Sequence, residues 1–341
     1  MSFLYYLKKC GHQELGSIGE DGKPHRGRYL LTSMDPAILD FFPHLSTTQL
    51  NDSALIPIIP LDTCKKVYCN FVYHNDKYHG STAKHPRNEY RLYLNKALEN
   101  DEMLFKKDDI VVFRQASVDS IYSSDVDLSE HCEQIVYLMM LVQDKMSALY
   151  KELDNVIENY RIRGGYGLYD KRIDLFEAKA DSLNLDNPVE VDIDNSVTER
   201  ITSENHDEEL IANLFNSASF RDFVLTGYGN LCAITGQVIR HENLMNLEAA
   251  HIKPRSHSGL YLPNNGIALC RDMHWAFDKG FFTINDDYTV RVHPKINSEL
   301  LSSYNGKQIR LPNNPFFIPD INNLHYHQEC IYGLFLTSGR L

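Results

Sequence analysis

The side chains best suited to chemistry are concentrated between residues 247 and 280. His251 ends a short apolar run, Asn265 follows a polar, basic loop, and His274 and Asp278 share an amphipathic segment. We expect a strand, a loop leading to a second strand, and a helix, which would bring these side chains to a common point. Residues of these types in this order can hold one divalent metal ion against a phosphate group.

Hydrolysis of a phosphodiester requires an activated water, and it requires positive charge at the phosphate and at the departing oxygen. A neutral histidine such as His251 can activate water near pH 7. His274 and Asp278 are four residues apart, so on a helix they share one face and can bind the same ion. Magnesium keeps several waters, so two protein ligands suffice. We therefore expect one divalent ion per site, most simply Mg²⁺, with Mn²⁺ or another divalent ion as the alternative.

This stretch resembles the HNH endonuclease family, whose fold is a two-stranded hairpin and a helix around one metal ion (the ββα-metal motif). By position, the resemblance implies that His251 is the general base, that Asn265 fixes the loop and the orientation of the base, and that His274 is a metal ligand. It also implies that Asp278 is the second ligand, which some members place one helical turn later. The similarity runs from residue 215 to residue 333, which predicts one complete domain.

One position departs from the family pattern. Many members have an acidic or histidine ligand immediately before the base, whereas this chain has Ala250. Glu248 lies two residues earlier on the same strand face, and we expect a water-bridged role from it at most. In the loop, Lys253, Arg255 and His257 either contact DNA phosphates or form a solvated basic loop.

The chain up to about residue 115 has the pattern of a β-rich domain. Apolar runs with strand character are separated by Gly, Pro, Asn and Asp clusters. These runs lie at residues 28–31, 54–59, 67–73 and 109–114.

Residues 79–94 combine basic, amide and aromatic side chains. Four of them could contact a DNA backbone or base edges: Lys84, Arg87, Asn88 and Arg91. The alternative is a solvated loop whose arginines pair with local carboxylates such as Glu89. Residues 55–115 also loosely resemble the DNA-binding pseudobarrel domains that serve as recognition modules in some restriction endonucleases. This resemblance implies that the loops of this segment read a DNA duplex.

A long helix is predicted from Asp127 to about Arg161. Asp127 and Glu130 have the spacing of a capping box, and apolar residues then recur at three- and four-residue steps. A helix of about thirty residues is long for a compact domain. We expect it to be a scaffold for the β-rich part, or alternatively the seam of a homodimer, because cutting both DNA strands takes two active sites or two sequential cuts.

The acidic charge of the chain is concentrated in one segment. Between Asp181 and Leu210 there are ten acidic residues and one basic residue, so this segment carries −9 of the net charge of −12. The rest of the chain is therefore close to neutral, and the net charge does not exclude a nucleic-acid partner. We expect residues 181–208 to be a flexible linker.

A chain of 341 residues is expected to form two domains. We predict an α+β fold in three parts: a DNA-recognition domain over residues 1–180, with a β-rich, pseudobarrel-like part and a long helix; the acidic linker over 181–208; and a ββα-metal nuclease domain over 209–341. No apolar run approaches the ~18–20 residues that span a bilayer, no signal peptide is evident, and the seven cysteines form no CxxC pair. We therefore expect no membrane partner and a reducing cytoplasm.

These features predict a metal-dependent endonuclease that hydrolyses double-stranded DNA. The arrangement is that of a restriction enzyme whose N-terminal domain selects a sequence or a modified base. One alternative is a nicking or mobile-element nuclease. Another is a DNA-binding regulatory protein with an inactive nuclease fold, which Ala250 keeps open.

Overall fold

The computed structural model describes residues 3–15, 28–75, 88–99, 104–125, 128–172, 174–176, 190–203, 211, 213–241 and 244–337. The strands are β1 Phe3–Lys9, β2 Tyr29–Thr32, β3 Ser53–Pro60, β4 Lys66–His74, β5 Glu89–Tyr93, β6 Ile110–Asp125, β7 Leu128–Val142, β8 Tyr166–Lys171, β9 Val191–Asp192, β10 Arg240–His241, β11 Leu244–Met245, β12 Leu247–His251, β13 Gly266–Cys270, β14 Phe282–Ile284 and β15 Val290–Val292. The α-helices are α1 His12–Leu15, α2 Pro36–Leu39, α3 Ala148–Glu158, α4 Asn195–Ser203, α5 Ser217–Gly227, α6 Arg271–Asp278, α7 Glu299–Ser302 and α8 Ile321–Cys330. Short 3₁₀ turns lie at Arg255–His257, Pro263–Asn265, Pro315–Phe317 and Leu334–Leu336.

The chain divides into two compact units, with the main division between Arg200 and Ile201. The first unit is built on one large sheet with strand order β2-β5-β4-β3-β7-β6-β1-β8, and β9 pairs with β4. The four strands predicted before residue 115 are all present, within one or two residues of their expected starts. The predicted α+β class with a β-rich N-terminal part is confirmed.

The predicted helix from Asp127 to about Arg161 is wrong over its first half, where the chain forms strand β7. Only α3 is helical, and its N-cap is the side chain of Ser147. In β7, Tyr137 and Met139 pack into one apolar cluster, whereas Val136 and Leu138 pack into another. A strand buried on both faces is continuously apolar and lacks the period of two, so its periodicity cannot be told from that of a helix. The homodimer seam loses its basis because it depended on the long helix.

Part of the predicted linker has regular structure. Strand β9 pairs in parallel with β4, and α4 follows it with Val197 and Ile201 buried. The prediction of a flexible linker over residues 181–208 is therefore wrong for residues 191–203. An acidic segment can still form regular structure where it buries apolar side chains. Residues 181–189 and 204–208 lie outside the described part of the chain. The boundaries of the three-part division stay a prediction.

The second unit has its own core, and this core positions the candidate site. Strands β12 and β13 form a two-stranded antiparallel hairpin, and helices α5 and α6 both pack on it. Val224, Ile267 and Phe277 from these three elements meet in one buried cluster. The predicted order of strand, loop, strand and helix is confirmed. In the described residues no helix is long and apolar enough to cross a membrane.

Candidate active site

The hairpin and helix α6 bring the predicted site residues into one region of the second unit. His251 is the last residue of β12 and pairs with Gly266, the first residue of β13. A Cβ at Gly266 would lie 2.3 Å from Val224, so glycine is needed for α5 to approach the hairpin closely. Helix α6 starts at Arg271, directly after β13. Because Cys270 at the end of β13 pairs with Leu247, the helix begins beside the start of β12.

His251 is a buried histidine with no hydrogen bond to its ring. The residue is 2% exposed, and neither Nδ1 nor Nε2 has a partner among the described residues. Its ring stacks on Phe220 at a centroid distance of 4.2 Å and also contacts Tyr261 at 5.5 Å. Burial, followed by the nearby charges of Arg255 and His274, lowers the pKa of His251 to about 3. The imidazole is therefore neutral at pH 7, with a ring nitrogen able to accept a proton.

Asn265 fastens the loop between the two strands. The residue is buried, and its Nδ2 donates to the carbonyls of Lys253 and Leu260 at 3.1 and 3.0 Å. Its Oδ1 accepts the N–H of Lys253 at 2.9 Å, and its backbone carbonyl accepts the N–H of Ile252. One side chain thus closes both ends of the loop that follows His251.

The basic side chains of this loop lie against tyrosines. The guanidinium of Arg255 lies 4.2 Å from the ring centre of Tyr261 and donates to the carbonyl of Gly259. The Lys253 ammonium lies 4.9 Å from the ring centre of Tyr326. His257 is exposed. All three therefore lie on the loop beside His251, and their contact with phosphate stays a prediction.

His274 lies between two carboxylates. It is 3% exposed, with Nδ1 2.7 Å from Glu248 Oε2 and Nε2 3.3 Å from Asp278 Oδ2. Because ionised Glu248 can only accept, Nδ1 of His274 donates to it and Nε2 faces an oxygen of Asp278. When Nε2 carries no proton, its lone pair lies beside that carboxylate oxygen. A nitrogen lone pair and a carboxylate oxygen this close form a donor pair for a cation.

Glu248 is the functional candidate that the sequence reasoning underestimated. Burial alone would raise its pKa, but the hydrogen bond with His274 and the charge of Arg271 lower the pKa overall. Glu248 is therefore a charged acceptor that fixes the tautomer and orientation of His274, as carboxylates do behind metal-binding histidines. The sequence shows that Glu248 lies two residues before Ala250. It does not show the contact between β12 and α6 that brings Glu248 to His274.

The donor set fits a divalent ion held by few protein ligands. His274 and Asp278 offer one nitrogen and one or two oxygens, and Ala250 is fully buried in the core and offers none. Within the described chain no group of three or more His, Cys, Asp or Glu side chains is arranged to hold a metal. An ion here would complete its shell with water and phosphate oxygens, which Mg²⁺ tolerates.

The predicted DNA-reading residues of the first unit are only partly described. Lys84 and Arg87 lie outside the described residues. Asn88 is exposed and accepts a hydrogen bond from Tyr73 at 2.5 Å. The guanidinium of Arg91 pairs with Glu89 and lies 4.2 Å from the ring centre of Tyr29. These contacts favour the alternative interpretation for Arg91, and the DNA contacts stay a prediction.

The comparison with protein families finds a match in the second unit. Residues 232–285 match the HNH endonuclease family model. Among solved structures, a modification-dependent restriction endonuclease, TagI, is similar at 15% identity and a TM-score of 0.28; the match covers 78% of this chain and 63% of that one. The B3 domain of the UbaLAI restriction endonuclease, solved with cognate DNA, is similar at 12% identity and a TM-score of 0.28, covering 50% of this chain and 87% of that one. Both TM-scores are too low to bear on the fold.

No curated protein matches the chain. The family match covers the hairpin, the loop and helix α6, which are the elements that carry His251, Asn265, His274 and Asp278. The resemblance predicted from the sequence is therefore confirmed for the C-terminal part: residues 232–285 match the HNH endonuclease family.

Proposed function

We propose that the protein is a DNA endonuclease of the restriction type, which hydrolyses phosphodiester bonds of double-stranded DNA with one divalent metal ion and a histidine general base. The observation that carries the proposal is that one HNH motif contains both a buried, neutral His251 and the donor pair of His274 and Asp278. Burying a histidine whose ring has no hydrogen-bond partner among the described residues costs free energy, which favours a chemical role for His251.

His251 would take the proton of the attacking water. In the free protein its pKa is about 3, which makes it a weak base. An anionic phosphate beside the ring would raise this pKa, because negative charge stabilises the imidazolium form. The stacked ring of Phe220 and the tilted ring of Tyr261 pack against the imidazole and hold it in one orientation.

His274 and Asp278 would hold the ion, and Glu248 would orient His274. When bound, a divalent ion, most simply Mg²⁺, supplies positive charge to the phosphate and to the departing oxygen. Asn265 would keep the loop of Lys253, Arg255 and His257 closed, so that these cations meet the DNA backbone next to the base.

We further propose that the N-terminal unit selects where the DNA is cut, as a sequence or modified base. Lys84, Arg87 and Asn88 are the proposed contacts, with Arg91 a weaker candidate because its charge is paired. This biological role rests on the two-part architecture of the chain. The three-part division and the cytoplasmic location belong to the same proposal.

A digest of supercoiled plasmid tests the proposed chemistry. Wild-type protein should cut with Mg²⁺ or Mn²⁺ and not with chelator, and His251→Ala should lower the rate roughly 10²- to 10⁴-fold because the general base is lost. The matched control is His325→Ala, since His325 is an exposed histidine of the same unit that pairs with Asp286. It should cut like wild type.

The digest also separates the alternatives. Linear product indicates cleavage of both strands, whereas open-circular product alone indicates a nicking enzyme. If the plasmid stays intact under every divalent ion while the protein still retards DNA on a gel, the protein binds DNA and its nuclease fold is inactive. Methylated and unmethylated plasmids compared side by side test the selection of a modified base.

A further inference from the structure

One side of helix α6 is open to solvent and carries a tryptophan between two cations. Arg271, Trp275 and Lys279 follow one another at four-residue steps, so they align along the helix. Trp275 is 49% exposed and the side chain of Arg271 is 73% exposed. The opposite side of the helix is filled by Met273, Ala276 and Phe277, which belong to the core. The exposed side is therefore not needed to hold the helix in the fold.

The indole of Trp275 is held in place although it is half exposed. Its ring meets the ring of Phe281 edge to face at 5.0 Å, and Phe281 in turn meets Phe335 at 5.0 Å. A rigid aromatic surface loses little conformational entropy when a flat ligand packs on it.

The charges beside Trp275 suit an anionic ligand. Arg271 contacts Glu248 at 3.2 Å, but most of its side chain stays accessible to a second partner. Lys279 makes no ion pair with any residue that the structure describes. The two cations are ~12 Å apart along the helix axis, which leaves room for the indole and a nucleoside between them. The acidic residues of the helix are Asp272 and the proposed ligand Asp278.

This side of the helix adjoins the proposed catalytic groups. Trp275 directly follows His274, and Arg271 shares the carboxylate of Glu248 with His274. Basic side chains that interleave with an aromatic ring are the pattern of a surface that follows a nucleic-acid strand. A DNA strand whose phosphate lies at His274 and Asp278 would continue along Trp275.

We infer that the Arg271–Trp275–Lys279 side of α6 binds the DNA strand next to the scissile phosphate, with Trp275 packing against a nucleotide and the two cations contacting phosphates. The inference rests on the proposed nuclease function and adds a binding surface to it.

Tryptophan emission, excited selectively, reports on this surface alone, because Trp275 is the only tryptophan of the chain. Wild-type protein in chelator, where DNA is not cut, is titrated with a dye-labelled duplex and with a single-stranded oligonucleotide. Anisotropy of the dye gives binding, and tryptophan emission gives the environment of Trp275. Quenching that follows the anisotropy curve supports the inference. Saturated anisotropy with unchanged emission overturns it.

Variants give a second readout. Trp275→Leu should weaken DNA affinity roughly 5- to 150-fold, as expected for the loss of one base–aromatic contact. Trp275→Phe should retain most of the affinity. The matched control is Leu300→Ala, which shortens another exposed apolar side chain of the same unit and should not change the affinity.

The cations are tested through salt dependence. Lys279→Gln should reduce the slope of log affinity against log salt by about 0.7–0.9, the value of one phosphate contact. Lys295→Gln, at another exposed lysine, should leave the slope unchanged.

These experiments distinguish failure of this inference from failure of the proposed function. If the wild type cuts DNA while Trp275→Leu has normal affinity, or if this variant changes only oligomeric state or stability, this side of α6 is a packing surface and the inference fails alone. If the wild type neither binds nor cuts DNA, the proposed function fails as well.

Discussion

At the residue scale, the chemistry of the site depends on which hydrogen bonds the ring nitrogens of His274 and His251 make with neighbouring side chains. Glu248 occupies Nδ1 of His274 and so directs Nε2 towards Asp278. The ring of His251, by contrast, packs against Phe220 and Tyr261, and neither of its nitrogens has a hydrogen-bond partner in the described part of the chain. We therefore propose different roles for the two histidines, His274 as a metal ligand and His251 as the base.

Removing the charge of Glu248 should weaken metal binding without abolishing catalysis. Glu248→Gln keeps the size of the side chain but loses the carboxylate that orients His274, so the Mn²⁺ concentration for half-maximal cleavage should rise about 10- to 100-fold. The rate at saturating metal should largely recover. Glu299→Gln, at an exposed glutamate of the same unit, is the control. An unchanged metal requirement would show that Glu248 does not tune His274.

His327 makes the second unit sensitive to acid. This buried ring stacks on Phe277, its Nδ1 lies 2.9 Å from Thr283 Oγ1, and its Nε2 lies 3.2 Å from the Phe277 carbonyl. Burial lowers the pKa of His327 to about 3, despite the opposing hydrogen bond to Phe277. The folded-state pKa thus lies below the unfolded one, near 6.5, so the unfolded state binds the proton more readily. The stability that this neutral histidine contributes is complete above pH 6.5 and is lost as the pH falls towards 3.

Denaturant unfolding at several pH values measures this effect. Between pH 7 and pH 4.5 the His327 ring should account for a loss of roughly 2–3 kcal/mol in the free energy of unfolding. His327→Gln should be less stable at pH 7 but should lack this part of the pH dependence. Parallel pH profiles for wild type and variant would contradict the assignment.

At the element scale, the site is a hairpin, a closed loop and a helix, and these could be predicted to different degrees. The order His251, Asn265, His274 could be found because each element has its own local signal: an apolar run, a polar loop and an amphipathic step. The contact between Glu248 and His274 could not, because it depends on how α6 returns to β12. Strand β7 was misread as helix because Val136 and Tyr137 are buried in different clusters on its two faces.

Converting Asn265 to aspartate should open the loop. Aspartate keeps the acceptor for the Lys253 N–H but loses both donated hydrogen bonds, to the carbonyls of Lys253 and Leu260. We expect a loss of about 1–3 kcal/mol in the free energy of unfolding, because two part-buried hydrogen bonds are lost, together with slower cleavage. Asn246→Asp is the control, because the Asn246 side chain accepts the N–H of Ile239 and aspartate can do the same. Equal stabilities of the two variants would refute the role of Asn265.

At the scale of the whole molecule, the chain consists of two units with separate apolar cores. The assignment of these units to a recognition part and a nuclease part stays a prediction. The ordered β9 and α4 could not be foreseen from composition, since acidic residues dominate that segment and its buried residues, such as Val197 and Ile201, are few.

We expect the two units to unfold in separate transitions, because each buries its own core. In calorimetry, Arg91→Ala should lower one transition, since it removes the ion pair with Glu89 and the packing on Tyr29. Asn265→Asp should lower the other, and tryptophan fluorescence should report only that second transition. A single transition lowered by both variants would show that the units unfold together.

The closed loop also bears on how the protein ages. Asn265 is followed by Gly266, and an asparagine before glycine readily loses its amide when the glycine nitrogen attacks the side-chain carbonyl. Here the Asn265 amide is engaged on both sides, and the Gly266 N–H is held by the Pro263 carbonyl. Deamidation therefore has to wait for local opening of the loop. In a molecule whose loop stays open for long enough, this attack expels ammonia and forms a cyclic imide, which water opens to aspartate or isoaspartate. The lifetime of the site in storage therefore depends on the stability of its loop.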